Sequence, residues 1–204
     1  MPDSVYASVP DRIETARLVL RRWSPSDAPA LKAAIDANLE YLLPWIPWAK
    51  NEPSPLDEIA VRLAGFSERF ETGPEWGFAV FDDAGSTLIG GIGLHDRLGP
   101  NALEIGYWIR QDVASRGYAT EAAEAITRLG LTMGAQHLEI RCDPRNSASA
   151  RVPEKLGYRH AVTYVGNYIW FTGEPRDTMV WVYPPASEPV PPKPKDEAAT
   201  PAPS

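Results

Sequence analysis

The sequence predicts an α/β domain of the α+β kind, and three observations predict it. Stretches with strand-like alternation and stretches with helical spacing follow one another along most of the chain. With 204 residues, 44% of them hydrophobic and 10% aromatic, the chain can bury one sizeable core. No segment repeats at a period of roughly 20 to 50 residues, which sets aside solenoids and propellers.

Residues 18–23, Leu-Val-Leu-Arg-Arg-Trp, read as the first strand. Ser24-Pro25-Ser26-Asp27 then supplies caps for a helix running to about Asn38. Residues 42–48 read as an aromatic loop broken by prolines. A second helix fits residues 55–70, because Ile59, Leu63, Phe66 and Phe70 share one face. Residues 76–81, 88–94 and 103–109 read as strands, with Asp82-Asp83-Ala84-Gly85 turning the chain between the first two. A helix over about 120–133, a short strand over 137–142 and a short helix over 147–156 follow, the last stopped by Gly157. Residues 158–165 and 178–182 supply the final strands, so the expected order is β-α-α-β-β-β-α-β-α-β-β.

Eight of the 21 residues from 184 to 204 are proline, and most of the rest are small or polar. Such a stretch buries too little apolar surface to offset its ordering entropy, so a disordered or polyproline-like tail is expected there. The folded domain is then 11–183, behind a short N-terminal extension of residues 1–10.

A net charge of −7 argues against nucleic acid as a partner and mildly favours cationic or amine partners. Cys142 is the only cysteine, so no intramolecular disulfide is possible, in keeping with a reducing compartment. No signal-peptide pattern opens the chain and no apolar run approaches the roughly 20 residues of a membrane helix. A cytoplasmic protein with no membrane partner, a monomer or a homodimer, is the expectation. Three histidines and one cysteine show no metal-ligand spacing, so no metal is expected.

The chemistry concentrates where the strand Glu104-Ile105-Gly106-Tyr107-Trp108-Ile109 runs, through residues 110–115, into Arg116-Gly117-Tyr118-Ala119-Thr120-Glu121-Ala122. The first N–H groups of a helix lack backbone partners and carry partial positive charge. They bind phosphate oxygens where small residues leave the approach open, as Gly117 and Ala119 do. Arg116 adds a cationic donor. This stretch resembles the GCN5-related N-acetyltransferases (GNAT), and within them the ribosomal-protein-alanine acetyltransferase branch. A second match is Asn146-Ser147-Ala148-Ser149-Ala150-Arg151-Val152-Pro153-Glu154-Lys155-Leu156-Gly157-Tyr158. Glu14-Thr15-Ala16-Arg17-Leu18-Val19-Leu20-Arg21 and Leu43-Pro44-Trp45 also fit. The resemblance covers about residues 11–183.

The resemblance implies the GNAT fold: a mixed, mostly antiparallel twisted sheet whose central strands splay, flanked by helices. It implies acetyl-CoA as co-substrate. The gap would lie between residues 103–109 and 137–142, with the pantetheine arm along the backbone of Trp108, Ile109 and Val113. The N–H groups of Arg116, Gly117, Tyr118, Ala119 and Thr120 would hold the pyrophosphate, and Asn146 would contact the arm. The family usually places Gln or Arg three residues before the loop glycine. Here that position is Ala114, which leaves Arg116 to supply the charge.

Transfer from a thioester to an amine needs a base for the ammonium, donors for the oxyanion and an acid for the thiolate. No covalent nucleophile is required when both substrates bind together. The tyrosine that many superfamily members use as acid is replaced here by Pro153, and the resemblance passes the role to Ser149. Without an N–H, Pro153 cannot bond the Ser149 carbonyl, which is expected to be freed beside the thiol site. Glu104 is the first candidate base, on one strand face with Gly106 and Trp108. His95 is the second, with Cys142 as a lining residue. Tyr41, Trp45, Trp48 and His95 are the expected acceptor contacts. The expected activity is N-acetylation of a primary amine, first a protein N-terminal amine. A small-molecule amine acceptor and a non-catalytic acyl-CoA-binding module are the alternatives.

Overall fold

Alternation along Leu18–Arg22, the second strand (β2), decides which layer each side chain enters. Leu18 and Leu20 join one buried cluster and Val19 joins the other. The next strand repeats the rule: in Glu75–Asp82 (β3), Phe78 and Val80 go one way and Ala79 and Phe81 the other. A sheet that is apolar on both faces must be covered on both, and it is. Helices Ala28–Asp36 (α1) and Leu56–Thr72 (α3) cover one face through Leu31, Ile35, Ile59 and Leu63. Helices Tyr118–Thr132 (α4) and Ser147–Lys155 (α5) cover the other through Ala122, Ala123, Ile126 and Val152.

The computed structural model describes residues 9–183. The expected tail lies outside the described residues, as does all but the end of the expected N-terminal extension. The remaining strands are Arg12–Glu14 (β1), Leu88–His95 (β4), Ala102–Ile109 (β5), His137–Cys142 (β6), Arg159–Ile169 (β7) and Pro175–Tyr183 (β8). They form one sheet in the order β1-β2-β3-β4-β5-β6-β8-β7, antiparallel except for the parallel pair β5–β6. The single parallel pair follows from the crossover through α4. No helix among the described residues is long and apolar enough to cross a membrane.

Two short elements depart from the expected order. β1 has three residues and the helix Leu39–Leu42 (α2) has four, both too short for a periodic signal. The β7–β8 hairpin is also longer than expected. Its register shifts between Tyr164 and Tyr168 around Gly166, which breaks the alternation that would have revealed it.

β5 and β6 pair only from Ala102 with His137 to Ile105 with Ile140. Beyond that, Gly106–Ile109 stays paired to β4, while Arg141 and Cys142 stay paired to β8. The strands therefore part at Gly106, and the edge of β5 from there to Ile109 faces a gap.

Candidate active site

The loop that closes β5 is shaped by two residues in the left-handed region, Ser115 with φ 62° and Gly117 with φ 86°. Gly117 caps α4 without a side-chain bond, and the first helical bond runs from the Glu121 N–H to the Gly117 carbonyl. The N–H groups of Tyr118, Ala119 and Thr120 are thus left pointing out of the helix start. The loop is braced from the N-terminal segment. Glu121 accepts from Thr15 Oγ1 at 2.7 Å, from the Arg17 N–H at 2.8 Å and from Arg17 Nε at 2.7 Å. Arg17 Nη1 also donates to the Arg116 carbonyl at 3.0 Å. Burial opposes charge on Glu121, but these donors hold its carboxyl below its usual range.

A cavity of about 290 Å³ lies over this loop and the β5 edge. Trp108, Ile109, Val113, Gly117, Tyr118, Ala119, Thr120, Asn146 and Ser149 line it. Asn146 caps α5, its Oδ1 accepting from the Ser149 N–H at 3.1 Å. Pro153 sits inside that helix, and the Ser149 carbonyl that it cannot serve takes the Tyr107 hydroxyl instead, at 3.0 Å. The same hydroxyl lies 3.1 Å from Ser149 Oγ. A tyrosine has one proton to give and a carbonyl can only accept, so Tyr107 donates to the carbonyl and its oxygen is open to the Ser149 hydroxyl. Burial pushes the Tyr107 pKa upward, so the phenol stays protonated.

A second cavity, of about 750 Å³, opens on the far side of the gap. The two share Trp45, Ile46, Tyr107, Trp108, Arg141, Cys142 and Asp143 as a common wall. Room for the larger cavity comes from β4. A Cβ on Gly91 would come within 2.7 Å of Trp108 Nε1 and 3.2 Å of Trp23. Trp48 meets Trp108 edge-on, at 6.1 Å between ring centres. Most of the cavity's charges are held in pairs. Asp143 binds Arg176 at 2.8 Å and Arg145 at 3.0 Å. Burial opposes its ionisation, but those bonds bring its pKa down to about 2. Burial lifts the Cys142 thiol to about 11, so it is no thiolate at neutral pH.

Glu75, His95 and Glu104 stand directly opposite one another across β3, β4 and β5. His95 Nδ1 meets Glu75 Oε1 at 2.9 Å, and Arg69 Nε donates to the other Glu75 oxygen at 2.6 Å. The bond from His95, more than any other contact, brings the Glu75 pKa down to about 2. Glu104 is buried, takes both arms of the Arg97 guanidinium, and lies 3.8 Å from Arg141. Burial alone would lift its pKa, but the bonds from Arg97 and the charge of Arg141 turn the net shift downward.

The sequence matches the family described as Acetyltransferase (GNAT) domain over residues 17–159. The chain belongs to the GNAT family. A Bacillus subtilis (strain 168) relative, the uncharacterized N-acetyltransferase YnaD, is 37% identical over 73 residues, which span 35% of this chain and 43% of that protein. Among solved structures, the RimL ribosomal L7/L12 α-N-protein acetyltransferase in complex with coenzyme A superposes with TM-score 0.76 at 19% identity, over 84% of this chain and 96% of that one. The microcin C7 self-immunity acetyltransferase MccE, in complex with acetyl-CoA and AMP, gives 0.77 at 13%, over 86% and 97%. A ribosomal-protein-S5-alanine acetyltransferase from Vibrio fischeri gives 0.73 at 20%, over 84% and 94%. These likenesses show the shared GNAT fold, with the parted central strands that the family resemblance implied.

Membership in the GNAT family makes acetyl-CoA the co-substrate, and the smaller cavity fits it. It offers three outward N–H groups, a bare strand edge, and Arg151 and Lys155 in its lining. No salt bridge between described residues occupies Arg116, Arg151 or Lys155. Arg116 itself is exposed, bonded to the Asp112 carbonyl at 3.2 Å, and outside the lining, so the structure does not place its side chain where Ala114 leaves room.

Two other expectations need correction. Tyr41 lines the smaller cavity and not the larger one, so it does not belong to the acceptor wall with Trp45, Trp48 and His95. Glu104 is no free carboxylate in a half-dry groove, because its oxygens are committed to Arg97 and Arg141. Residues that sequence reading passed over include Tyr107, Glu75, Arg97 and Trp170. Tyr107 had a signal: a tyrosine facing the segment from which the family's tyrosine is missing.

Proposed function

We propose that this chain transfers the acetyl group of acetyl-CoA to a primary amine by direct attack while both substrates are bound, and that the acceptor is a protein N-terminal amine. The observation that carries this reading is the common wall. A groove over the α4 N-terminus and a larger aromatic cavity meet at Tyr107, Trp108, Cys142 and Asp143. An acyl group at the end of one therefore lies beside an amine entering from the other, which satisfies the demand for proximity. The size of the larger cavity, about 750 Å³, suits the first residues of a peptide.

Acetyl-CoA supplies the activated acyl group. The chain's own residues do the rest. The α4 N-terminus, with Arg151 and Lys155 nearby, holds the phosphates, and the β5 edge aligns the pantetheine amides. Ser149 presents its hydroxyl to the sulfur, oriented by Tyr107 and by the Asn146 cap. Trp45, Trp48 and Trp108 keep water from the amine.

MccE, whose structure holds acetyl-CoA and AMP, shares the fold at TM-score 0.77, and this supports a small-molecule acceptor as the second reading. A thiol-release assay separates the two. Peptides with free Ser, Ala and Met N-termini are compared with polyamines and aminoglycosides. Turnover of peptides with an unblocked N-terminus, and none after N-terminal blocking, is the expected result. Turnover of small amines alone overturns the peptide reading. Tight coenzyme A binding with no turnover on any amine leaves a binding module in place of an enzyme.

A further inference from the structure

The base that takes the proton from the amine was expected at Glu104, yet that carboxylate is fully engaged. Two guanidinium arms from Arg97 and the charge of Arg141 stabilise its ionised form, and a base so stabilised is a weak one. Two strands away, the geometry is the opposite. Glu75, on β3, has its carboxyl brought down to about 2, chiefly by its bond with His95, and is ionised throughout the working range of an enzyme. A carboxylate can only accept, so the proton in its bond with His95 belongs to Nδ1. The neutral ring then has its lone pair on Nε2.

Where Nε2 lies is fixed by two glycines. It stands 3.3 Å from the point that a Cβ on Gly106 would occupy and 3.6 Å from that of Gly93. Gly106 is the residue at which β5 leaves β6, and His95, Gly93 and Gly106 all line the larger cavity. The lone pair thus hangs over the mouth of the gap, on the acceptor side. Side chains at Gly93 or Gly106 would fill the space through which an amine reaches it.

We infer that His95, oriented by Glu75, is the catalytic base of this enzyme, and that Glu104 is a positioning residue which holds Arg97 and Arg141 at the cavity wall. The role rests on the acetyltransfer reading above. The ammonium gives one proton to Nε2 and its nitrogen bonds the acyl carbon. The carbon–sulfur bond breaks, its electron pair leaving on sulfur; Ser149 Oγ passes its proton to sulfur and takes up the second proton that the acylated nitrogen sheds, so the serine ends as it began. The imidazolium releases its proton to solvent. The charged groups around the ring are Glu75 from β3, with Arg69 of α3 behind it, Glu104 from β5, with Arg141 of β6 behind it, and Arg97 just past β4.

The test is chemical rescue with free-N-terminus peptides as acceptors. His95→Ala is expected to lower kcat by roughly 100- to 10,000-fold, with the KM for acetyl-CoA unchanged, and added imidazole is expected to restore part of the rate. Glu75→Gln is expected to lower kcat by a smaller factor and to gain nothing from imidazole. Nitrogen-15 spectra of the neutral ring in the acceptor-free wild type are expected to show its proton on Nδ1 and none on Nε2. A proton on Nε2 alone overturns the assignment, whether or not the variants fold. So does rescue of Glu104→Ala by formate with no rescue of His95→Ala by imidazole. A wild type that turns over no amine defeats the acetyltransfer reading itself, a result distinct from loss of the base.

Discussion

The two sides of the gap are built in different ways. The coenzyme side rests on backbone from one continuous stretch, a left-handed glycine, the first N–H groups of α4 and an unpaired strand edge, with side chains of α5 beside it. The acceptor side is made of side chains from many elements, β3, β4, β5, β6, β8 and the loop after α2 among them, with most of its charges paired. Backbone donors recognise a ligand whatever side chains the loop carries. Side chains can be exchanged one at a time without disturbing the sheet, so a fold that keeps one donor substrate can change its acceptor.

The largest effect that tests this contrast is expected from Gly117→Val. A β-branched residue at φ 86° costs about 1–3 kcal/mol, and its Cβ would come to about 3.3 Å from Arg17 Nη2. At about 1.4 kcal/mol per decade, coenzyme A affinity should fall roughly ten- to a hundredfold by calorimetry. Unchanged affinity would mean that the phosphates sit elsewhere. A smaller loss is expected from Glu121→Gln, which touches no ligand but loosens the brace to Thr15 and Arg17. Its dissociation constant for coenzyme A should rise about tenfold, with acceptor KM unmoved, given about 1.5 kcal/mol for a charge-assisted bond. A change in acceptor KM instead would break the separation of the two sides.

This contrast also explains what was legible in the sequence. The coenzyme loop could be read because Gly117, Ala119 and Thr120 are neighbours in the chain. The Glu75–His95 pair could not. Near the turn, Phe81 faces Leu88, and that register continued without a break would set Glu75 opposite Leu94. Between Val80 and Phe81 the register shifts by one residue, leaving Ile89 as the extra one, and Glu75 comes to face His95. One bulge thus moves a whole strand end to the other face. Glu104 was misjudged for a related reason. Its partners lie on the loop after β4 and on β6, and nothing in the spacing shows that both guanidinium groups converge there. The strands and long helices were legible because their apolar period is carried by many residues, which a single irregularity does not erase.

Pro153→Ala should affect stability more than chemistry. The new N–H can join the Ser149 carbonyl, and a carbonyl has lone pairs for both this donor and Tyr107. Stability should rise by about 1 kcal/mol in denaturant melts, less than the roughly 3 kcal/mol of a helix-interior proline, because the helix already accommodates the ring. A large fall in kcat would show that the proline is needed to hold Tyr107 and Ser149 in place.

The subtlest test is acid unfolding of variants altered on the acceptor side. Glu75 has its pKa lowered from 4.5 to about 2 by His95 and Arg69, and Asp143 has its own lowered from 3.8 to about 2 against burial by Arg145 and Arg176. A folded pKa below the unfolded one means that the unfolded chain takes up protons first as pH falls. The stabilisation is therefore whole above about pH 4.5 and is lost as pH falls toward 2. Glu75→Gln should flatten the stability curve across that window. An undiminished acid slope in Glu75→Gln would mean that the carboxylate is not bound to His95 in solution, and the register that the bulge creates would lose its chemical purpose.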